Sequence, residues 1–326
     1  MDIRGATVAV TGATGFLGRH LVDTLLARGA HVVGVVRNPD RVPELAARGV
    51  TLRRADLAER EHLAAGFAGA DAVVSNAALF ALSNRRWADH HRANIDGTAN
   101  VFDAIADAGV RRVVHVSSVA VYAVHRPCVD EDAPQLGPTT RRTATNAYAL
   151  SKALSEQLAW RKAATHGLAL TTLRPCAIYG AHDPNFTRVF RRLAGFPITV
   201  MPAWAHIPFV YAGDVAEAAA RALERPVAVG KAYNVCGEDR TVWDFYRAWG
   251  AAGGATAHLT IPLPVPYSRG YDISRACTEL GWRNTPYVEA LRETFARDAG
   301  RGLAAARPPD ARRGPGTSPG APPPIG

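Results

Sequence analysis

The chain has 326 residues, of which 48% are apolar, so it is long enough for one large α/β domain or a main domain with a smaller lobe. No stretch of about eighteen apolar residues occurs. The first five residues also lack the charged and apolar regions of a signal peptide. The sequence therefore predicts a cytoplasmic protein with no membrane partner.

The formal charge of +9 is weak support for a nucleic-acid partner. Only three of the 38 basic residues are lysines, so much of the arginine content reflects composition rather than a binding surface. The four cysteines are scattered and form no C-x-x-C pair, so neither a metal site nor a disulfide framework is predicted. We expect a small-molecule substrate, no metal and no nucleic acid.

A predicted strand, a glycine-rich turn and a predicted helix open the chain. Residues 6–10 are β-rich, and a helical period extends to about residue 28. This order is the context of a dinucleotide-binding fingerprint, whose glycines allow a tight turn, close approach to the pyrophosphate and packing of helix on strand. The spacing is G-x-x-G-x-x-G. The predicted cofactor contacts in this turn are Thr11, Gly12, Thr14, Gly15, Phe16, Leu17 and Gly18.

The second predicted strand covers residues 31–36, and the residue that follows it is Arg37 rather than an acid. An acid at this position holds the 2′-hydroxyl of NAD, whereas a guanidinium suits the 2′-phosphate of NADP. We therefore expect NADP as the cofactor, with NAD as the alternative. In an arginine-rich chain, Arg37 is alternatively an ordinary surface residue.

The alternation of strands and helices continues and predicts an α/β fold, a doubly wound parallel sheet that is Rossmann-like. Further helices are expected over 41–48, 59–67, 87–108, 214–223, 243–249, 286–299 and from 146, and further strands over 50–53, 72–75, 112–116, 169–173 and 232–235. The nucleotide-binding domain is predicted to cover 1–178 and about 210–236. A small C-terminal substrate lobe is predicted for about 179–209 and 237–299. Residues 300–326 are rich in Pro, Gly, Ala and Arg, so we expect a disordered tail.

Tyr148 and Lys152 lie four residues apart, which places them on one side of a predicted helix. A nearby ammonium lowers the pKa of a phenol from its usual value near 10, and the pair then forms an acid/base. The same spacing also arises when a buried aromatic residue precedes a solvated lysine. The catalytic interpretation of this pair therefore depends on motifs in the rest of the chain.

Nine segments occur in a fixed order: residues 11–18, 55–57, 76–78, 94–98, 116–122, 148–152, 173–175, 178–180 and 209–215. Together they resemble the extended branch of the short-chain dehydrogenase/reductase superfamily, the NAD-dependent epimerase/dehydratase group. The resemblance implies a Rossmann-like domain with bound NAD(P), a small substrate lobe and a homodimer.

The resemblance also implies roles for single residues. Tyr148 is the expected acid/base, Lys152 holds the nicotinamide ribose, and Ser118 donates to the substrate oxygen. Asn94 is expected to support the catalytic site, although a mid-helix asparagine also bonds to backbone. Asp56 is expected at the adenine. The remaining expected cofactor contacts are Leu57, Asn76, Ala77, Ala78 and Pro175.

The expected substrate contacts are Ser118, Tyr179, Trp204, Phe209 and Arg269. Two features depart from the family pattern: Ala123 replaces the usual glycine after Tyr122, and an arginine typical of sugar-nucleotide members is missing near His206. The aromatic residues of the lobe therefore indicate an apolar or aromatic substrate, unless they form the lobe core.

Three functions follow from these observations. The first is an NADP-dependent oxidoreductase that acts on a carbonyl or secondary alcohol with Tyr148 as acid/base. The second is a nucleotide-sugar epimerase or dehydratase that keeps NAD bound. The third is a non-catalytic redox sensor, and the presence of both Tyr148 and Lys152 counts against it.

Overall fold

The computed structural model describes residues 1–80, 86–124, 126–143, 145–265 and 267–300. From residue 301 onward, the segment predicted to be disordered lies outside these ranges. Among the described helices, none combines the length and the apolar character that crossing a membrane requires.

A parallel sheet of seven strands forms the centre of the structure. Its strands are β1 Thr7–Thr11, β2 His31–Val36, β3 Thr51–Arg54, β4 Ala72–Ser75, β5 Arg112–Val116, β6 Ala169–Pro175 and β10 Ala232–Val235. Their order across the sheet is β3-β2-β1-β4-β5-β6-β10, and every pairing is parallel. The valine-rich β1 and β2 are almost entirely buried, as strands covered by helices on both faces must be. The predicted doubly wound, Rossmann-like fold is confirmed.

Helices cover both faces of this sheet. The described α-helices are α1 Phe16–Ala27, α2 Pro43–Ala46, α3 Arg60–Phe67, α4 Trp87–His90, α5 Gly97–Asp107, α6 Ala147–His166, α7 Phe186–Ala194, α8 Ala212–Glu224, α9 Val242–Ala251 and α10 Tyr287–Ala299. Helices α1 and α8 share one hydrophobic cluster with the sheet, and α3, α5 and α6 share the other. Burial of both clusters fixes the ends of β1, β4 and β5, where the candidate site lies.

A smaller lobe is built around an aromatic core. Four short strands, β7 Ala177–Tyr179, β8 Ile198–Met201, β9 Phe209–Tyr211 and β11 Leu259–Pro262, form two parallel pairs, β7 with β9 and β8 with β11. The core includes Phe190, Phe209, Phe245 and Trp249. The ring centroids of Phe209 and Phe245 are 4.5 Å apart. Strand β7 begins two residues after Pro175, so the lobe is anchored directly to the end of β6.

Three regions differ from the sequence-based expectation. The single helix predicted over 87–108 is divided by a π-helical segment, His91–Asp96, between α4 and α5. Such a segment inserts extra backbone into a helix and is frequent at functional sites. The helix predicted over 41–48 is a 3₁₀ turn, Pro39–Arg41, followed by the four-residue α2, because Pro39 and Pro43 interrupt helical hydrogen bonding. Strands β7, β8, β9 and β11 and helix α7 have no predicted counterpart.

Candidate active site

A cavity of about 1030 Å³ opens at the carboxyl ends of the central strands. Strand order reverses between β1 and β4, and ligands of open α/β sheets bind at such a switch point. The cavity wall includes the glycine turn after β1, the loops after β4 and β5, and the start of α6. Its volume is at the upper end of the range for ligand pockets.

The glycine turn forms a narrow cradle at one end of the cavity. Gly12 has a φ of +67°, and a Cβ there would lie 3.0 Å from Cα of Ala77. A Cβ on Gly18 would lie 2.0 Å from the Gly12 carbonyl oxygen, so Gly18 permits the contact of α1 with the turn, as its expected packing role requires. Gly15 caps α1 without a side-chain hydrogen bond, and the first turn carries no acid. The N–H groups of this turn thus suit the diphosphate of a dinucleotide.

Thr11 joins the turn to the loop after β4. Its hydroxyl oxygen accepts hydrogen bonds from the backbone N–H groups of Asn76 and Ala77, at 3.0 and 3.1 Å. Thr14, Phe16, Leu17, Asn76, Ala77 and Ala78 line the cavity as expected for cofactor contacts, whereas Gly18 lies behind its wall.

Another part of the cavity wall carries the residues expected at the adenosine. Arg37, Asp56 and Leu57 all line the cavity, and Arg37 is exposed. One carboxylate oxygen of Asp56 accepts a hydrogen bond from the Ala58 N–H at 3.0 Å, which orients this side chain beside the cavity. Because Asp56 still has acceptor capacity, it fits an amino group such as that of adenine.

Tyr148 is half-buried in the first turn of α6 and faces the cavity. Its ring packs edge-on against Phe80, with 5.0 Å between the ring centroids, and against His90, at 6.2 Å. Burial raises the pKa of the Tyr148 phenol to about 12, and a hydrogen bond with the Ser118 side chain acts in the opposite direction. Ser118 Oγ also accepts from the Ala120 N–H at 3.1 Å. The predicted phenol and hydroxyl therefore lie together at one wall.

Lys152 lies one turn farther along α6 and is buried. Its Nζ donates to the Val116 carbonyl at 3.0 Å. Burial lowers the pKa of Lys152 to about 8, while the Glu156 carboxylate raises it. The Lys152 ammonium thus contacts the end of β5, and burial is the largest influence on the pKa of the Tyr148 phenol. That Lys152 lowers the pKa of this phenol stays a prediction.

Asn94 does not line the cavity but connects two of its walls. Its side-chain oxygen accepts from the Leu79 N–H at 2.7 Å, and its side-chain nitrogen donates to Ser151 Oγ at 2.9 Å. Ser151 follows Tyr148 by three residues on α6. Asn94 therefore fixes the loop after β4 to the helix that carries the phenol, which is the supporting position that the resemblance implies.

A buried ion pair behind the site anchors α6 to β6. Arg174 donates to Glu156 at 2.6 Å, and both side chains are almost fully buried. Arg174 also donates to the Tyr122 hydroxyl at 2.9 Å, and that hydroxyl donates to Asn234 at 2.6 Å. This network fixes the helix that carries Lys152. It was not predicted, although Tyr122 and Arg174 lie within the motifs that carried the resemblance.

The substrate end of the cavity is mixed in character. Ser118 and Arg269, both expected at the substrate, line the cavity, and the Arg269 guanidinium lies 5.7 Å from the Tyr271 ring centroid. Pro175, expected as a cofactor contact, also lines the cavity. Three further wall residues, Phe80, His90 and Phe186, were missed because only tertiary packing brings them to the site.

Three residues expected at the substrate lie elsewhere within the described part of the chain. Tyr179 and Phe209 are buried in the aromatic lobe core, where the sequence analysis had left a core role open. Trp204 is 55% exposed on the turn after β8 and does not line the cavity. The aromatic wall of the cavity therefore consists of other residues, Phe80 and Phe186 among them.

Residues 8–236 match the NAD dependent epimerase/dehydratase family. A 4-hydroxy-2-methyl-3-oxo-4-farnesyl-3,4-dihydroquinoline-1-oxide ketoreductase of Stigmatella aurantiaca is 38% identical over 54% of this chain and 52% of its own length. The match therefore spans about half of that relative. Cinnamoyl-CoA reductase 1 of Oryza sativa subsp. japonica is 35% identical over 69% of each chain.

A solved structure of an epimerase has a similar fold. The crystal structure of UDP-glucose-4-epimerase from Stenotrophomonas maltophila, with bound NAD and formylated UDP-arabinopyranose, superposes with a TM-score of 0.77 at 25% identity. The alignment covers 91% of this chain and 99% of that one. The chain belongs to the NAD-dependent epimerase/dehydratase family, within the extended short-chain dehydrogenases/reductases, and is an enzyme.

Proposed function

We propose that this protein is an NADPH-dependent reductase that converts a carbonyl group of a small, apolar or aromatic substrate to an alcohol. The observation that carries the proposal is that the Tyr148 phenol and the Ser118 hydroxyl line one cavity together with Phe80 and Phe186. Two similar proteins are named as reductases, one for a farnesylated quinoline and one for a cinnamoyl thioester.

The residues divide the chemistry as follows. When bound, NADPH supplies a hydride to the carbonyl carbon. Tyr148 transfers its phenolic proton to the carbonyl oxygen, which becomes the alcohol, and regains a proton from water. The Ser118 hydroxyl donates a hydrogen bond to the same oxygen while negative charge develops on it. Lys152 holds a positive charge one helical turn away, at the place where a nicotinamide ribose fits.

The protonation state of Tyr148 fits the role of a proton donor. Because burial raises the pKa of the Tyr148 phenol to about 12, the phenol carries its proton at neutral pH.

Arg37 supports NADPH rather than NADH. It is exposed at the adenosine end of the cavity, directly after β2, where a 2′-phosphate would extend toward solvent. A guanidinium forms charge-assisted, bidentate hydrogen bonds with a phosphate. The resemblance adds the expectation of a homodimer, and the sequence adds the expectation of a cytoplasmic location. Light scattering of the purified protein tests the oligomeric state.

A nucleotide-sugar epimerase with tightly bound NAD is the second candidate, and Arg269 is the observation that favours it. The half-buried guanidinium of Arg269 lines the substrate end of the cavity and could bind a diphosphate. The absence of a second arginine near His206 and the presence of Phe80 and Phe186 favour the reductase instead.

One pair of measurements separates the two candidates. The ultraviolet spectrum of the purified protein reports copurified NAD, and thermal shifts compare NADPH with UDP- and TDP-sugars. A reductase consumes NADPH with aryl or prenyl ketones, aldehydes or thioesters and shows no shift with sugar nucleotides. Copurified NAD together with a sugar-nucleotide shift would contradict our proposal.

A further inference from the structure

The lobe exposes one face of its β8–β11 sheet. Ile198 pairs with Leu259 and Val200 with Ile261, and paired residues of parallel strands point to the same side of the sheet. All four side chains are exposed, whereas Met201 on the opposite face packs in the lobe core. On β8 the inner face of this small sheet is buried, whereas the outer face of both strands is apolar and exposed.

The chain after β11 extends this face. Leu263 remains attached to β8 through a hydrogen bond from its N–H to the Met201 carbonyl at 2.8 Å, and Val265 follows it. We call these residues the apolar stripe: Ile198, Val200, Leu259, Ile261, Leu263 and Val265, each between 41% and 56% exposed. Phe196 and Tyr267 are exposed at its ends. Contiguous apolar patches of this kind mark an interaction surface.

The sequence around the apolar stripe is free of carboxylates. No Asp or Glu occurs over residues 184–213 or 245–271, which together contain both strands of the stripe. The same segments contain five arginines, and Arg188 and Arg192 are exposed on α7, the helix that leads into β8. The chain segments that form the apolar stripe therefore carry exposed apolar side chains and positive charge, and no carboxylate.

Two other occupants fit this surface less well. Residues 301–326 contain only Leu303 and Ile325 as large apolar residues, against six in the stripe. A second copy that met the stripe symmetrically would bring the same arginine-bearing segments of both copies together, without any acid between them.

We propose that the apolar stripe and the arginines of α7 form an interfacial binding surface for anionic phospholipid. Apolar side chains that insert at the headgroup level, together with cations that meet anionic lipid, are the two contributions that hold a peripheral protein on a bilayer. The prediction of no membrane partner rested on the lack of a long apolar run, and that argument addresses only segments that span the bilayer. This inference does not depend on the proposed reduction.

Two chain segments connect the apolar stripe with the cavity wall. Helix α7 begins at Phe186, which lines the cavity, and ends two residues before Phe196. Arg269, also in the cavity wall, follows Tyr267 by two residues. The segments that would meet the lipid therefore continue directly into residues of the cavity wall.

Sedimentation of the full chain with vesicles tests the proposal. Vesicles of equal parts phosphatidylglycerol and phosphatidylcholine should bind the protein, and phosphatidylcholine alone should bind it more weakly. The double substitution Ile198→Glu and Ile261→Glu should lower the partition coefficient at least about tenfold. The control, Val227→Glu and Val229→Glu, adds the same charge at exposed valines near the start of β10 and should change it by about twofold or less.

A second measurement needs no charge substitution. Trp204 is the exposed tryptophan among the described residues, and it follows the end of β8 by three residues. Anionic vesicles with brominated acyl chains should quench the fluorescence of the unaltered chain, and Trp204→Phe should remove that quenching. Three results would overturn the proposal: no binding to anionic vesicles, equal loss in the stripe variant and the control, or a dimer that the stripe variant dissociates.

Discussion

The ammonium of Lys152 donates a hydrogen bond to the Val116 carbonyl, with 3.0 Å between Nζ and O. Val116 is the last residue of β5, and Ser117 and Ser118 follow it directly. The lysine therefore attaches α6 to the strand end that carries the Ser118 hydroxyl. This contact couples the charge state of one buried group to the position of the cavity wall that carries Ser118.

The first prediction concerns pH. Because the pKa of Lys152 is lowered to about 8, kcat/KM for reduction should be level below that pH and should fall above it as the ammonium loses its proton. The unfolded chain keeps a lysine pKa near 10.4, so between about pH 8 and 10 it binds more protons than the folded chain. The free energy of unfolding should therefore rise with pH across this window.

Both parts are measurable on one variant. Lys152→Met should lose activity at every pH and should lack the rise in urea stability between about pH 8 and 10. An unaltered enzyme whose kcat/KM stays level through pH 9 would show that the charge on Lys152 is not required.

The second prediction concerns the phenol. Tyr148→Phe keeps the ring between Phe80 and His90 but removes the proton that the substrate oxygen receives. We expect kcat to fall by about 10²- to 10⁴-fold. The Kd for NADPH, measured by fluorescence titration, should stay within about threefold, because Tyr148 contributes little to the glycine cradle. Full activity in this variant would remove Tyr148 from the mechanism.

The third prediction concerns the choice of cofactor. Arg37→Ser removes the cation that we assign to the 2′-phosphate. The Kd for NADPH should rise by about tenfold to a hundredfold, as expected for the loss of a charge-assisted hydrogen bond, and the Kd for NADH should change little. Arg126→Ser, which removes an exposed arginine outside the cavity, is the matched control. An equal effect on NADPH and NADH would contradict the assignment.

The fourth prediction concerns the buried ion pair. Glu156→Gln leaves the Arg174 guanidinium without its anion in the interior, and loss of one partner of a buried pair costs about 3–5 kcal/mol. Urea unfolding should show this loss. Glu238→Gln breaks the exposed pair of Glu238 with Arg240 and should leave the midpoint nearly unchanged. Similar midpoints for the two variants would mean that the buried pair does not stabilise the fold.

The fifth prediction concerns the close approach of α1 to the turn. Gly18→Ala places a methyl group 2.0 Å from the Gly12 carbonyl oxygen, so the helix must move away from the cradle. We expect a lower melting temperature and much weaker NADPH binding. Gly137→Ala meets no atom within 4 Å and serves as the control. Unchanged NADPH binding in Gly18→Ala would show that the contact is unimportant.

The sequence predicted the central sheet well because its strands are valine-rich and its helices have clear periods. It missed β7, β8, β9 and β11, because these short strands lie in the lobe, where the regular alternation of strand and helix patterns ends. It also missed the π-helical segment, because the change from α to π backbone follows from packing rather than composition.

The candidate site was predictable where chain spacing determines proximity. The glycines of the turn and the pair of Tyr148 and Lys152 are local features, and the structure places them at one cavity. Sequence spacing does not determine how deeply a side chain is buried. Trp204 and Phe209 are both aromatic residues of the lobe, yet one is at the surface and the other is in the core. The aromatic residues that line the cavity instead include Phe80 and Phe186, which come from segments distant in sequence.

The hydroxyl of Thr11 has one more consequence. By accepting two backbone N–H groups of the neighbouring loop, it holds the ends of β1 and β4 together. A contact of this kind preorganises the recess, so we expect little conformational entropy to be lost when a nucleotide binds there. Affinity should then follow from how well the nucleotide matches the shape of the recess rather than from ordering of a loop around it.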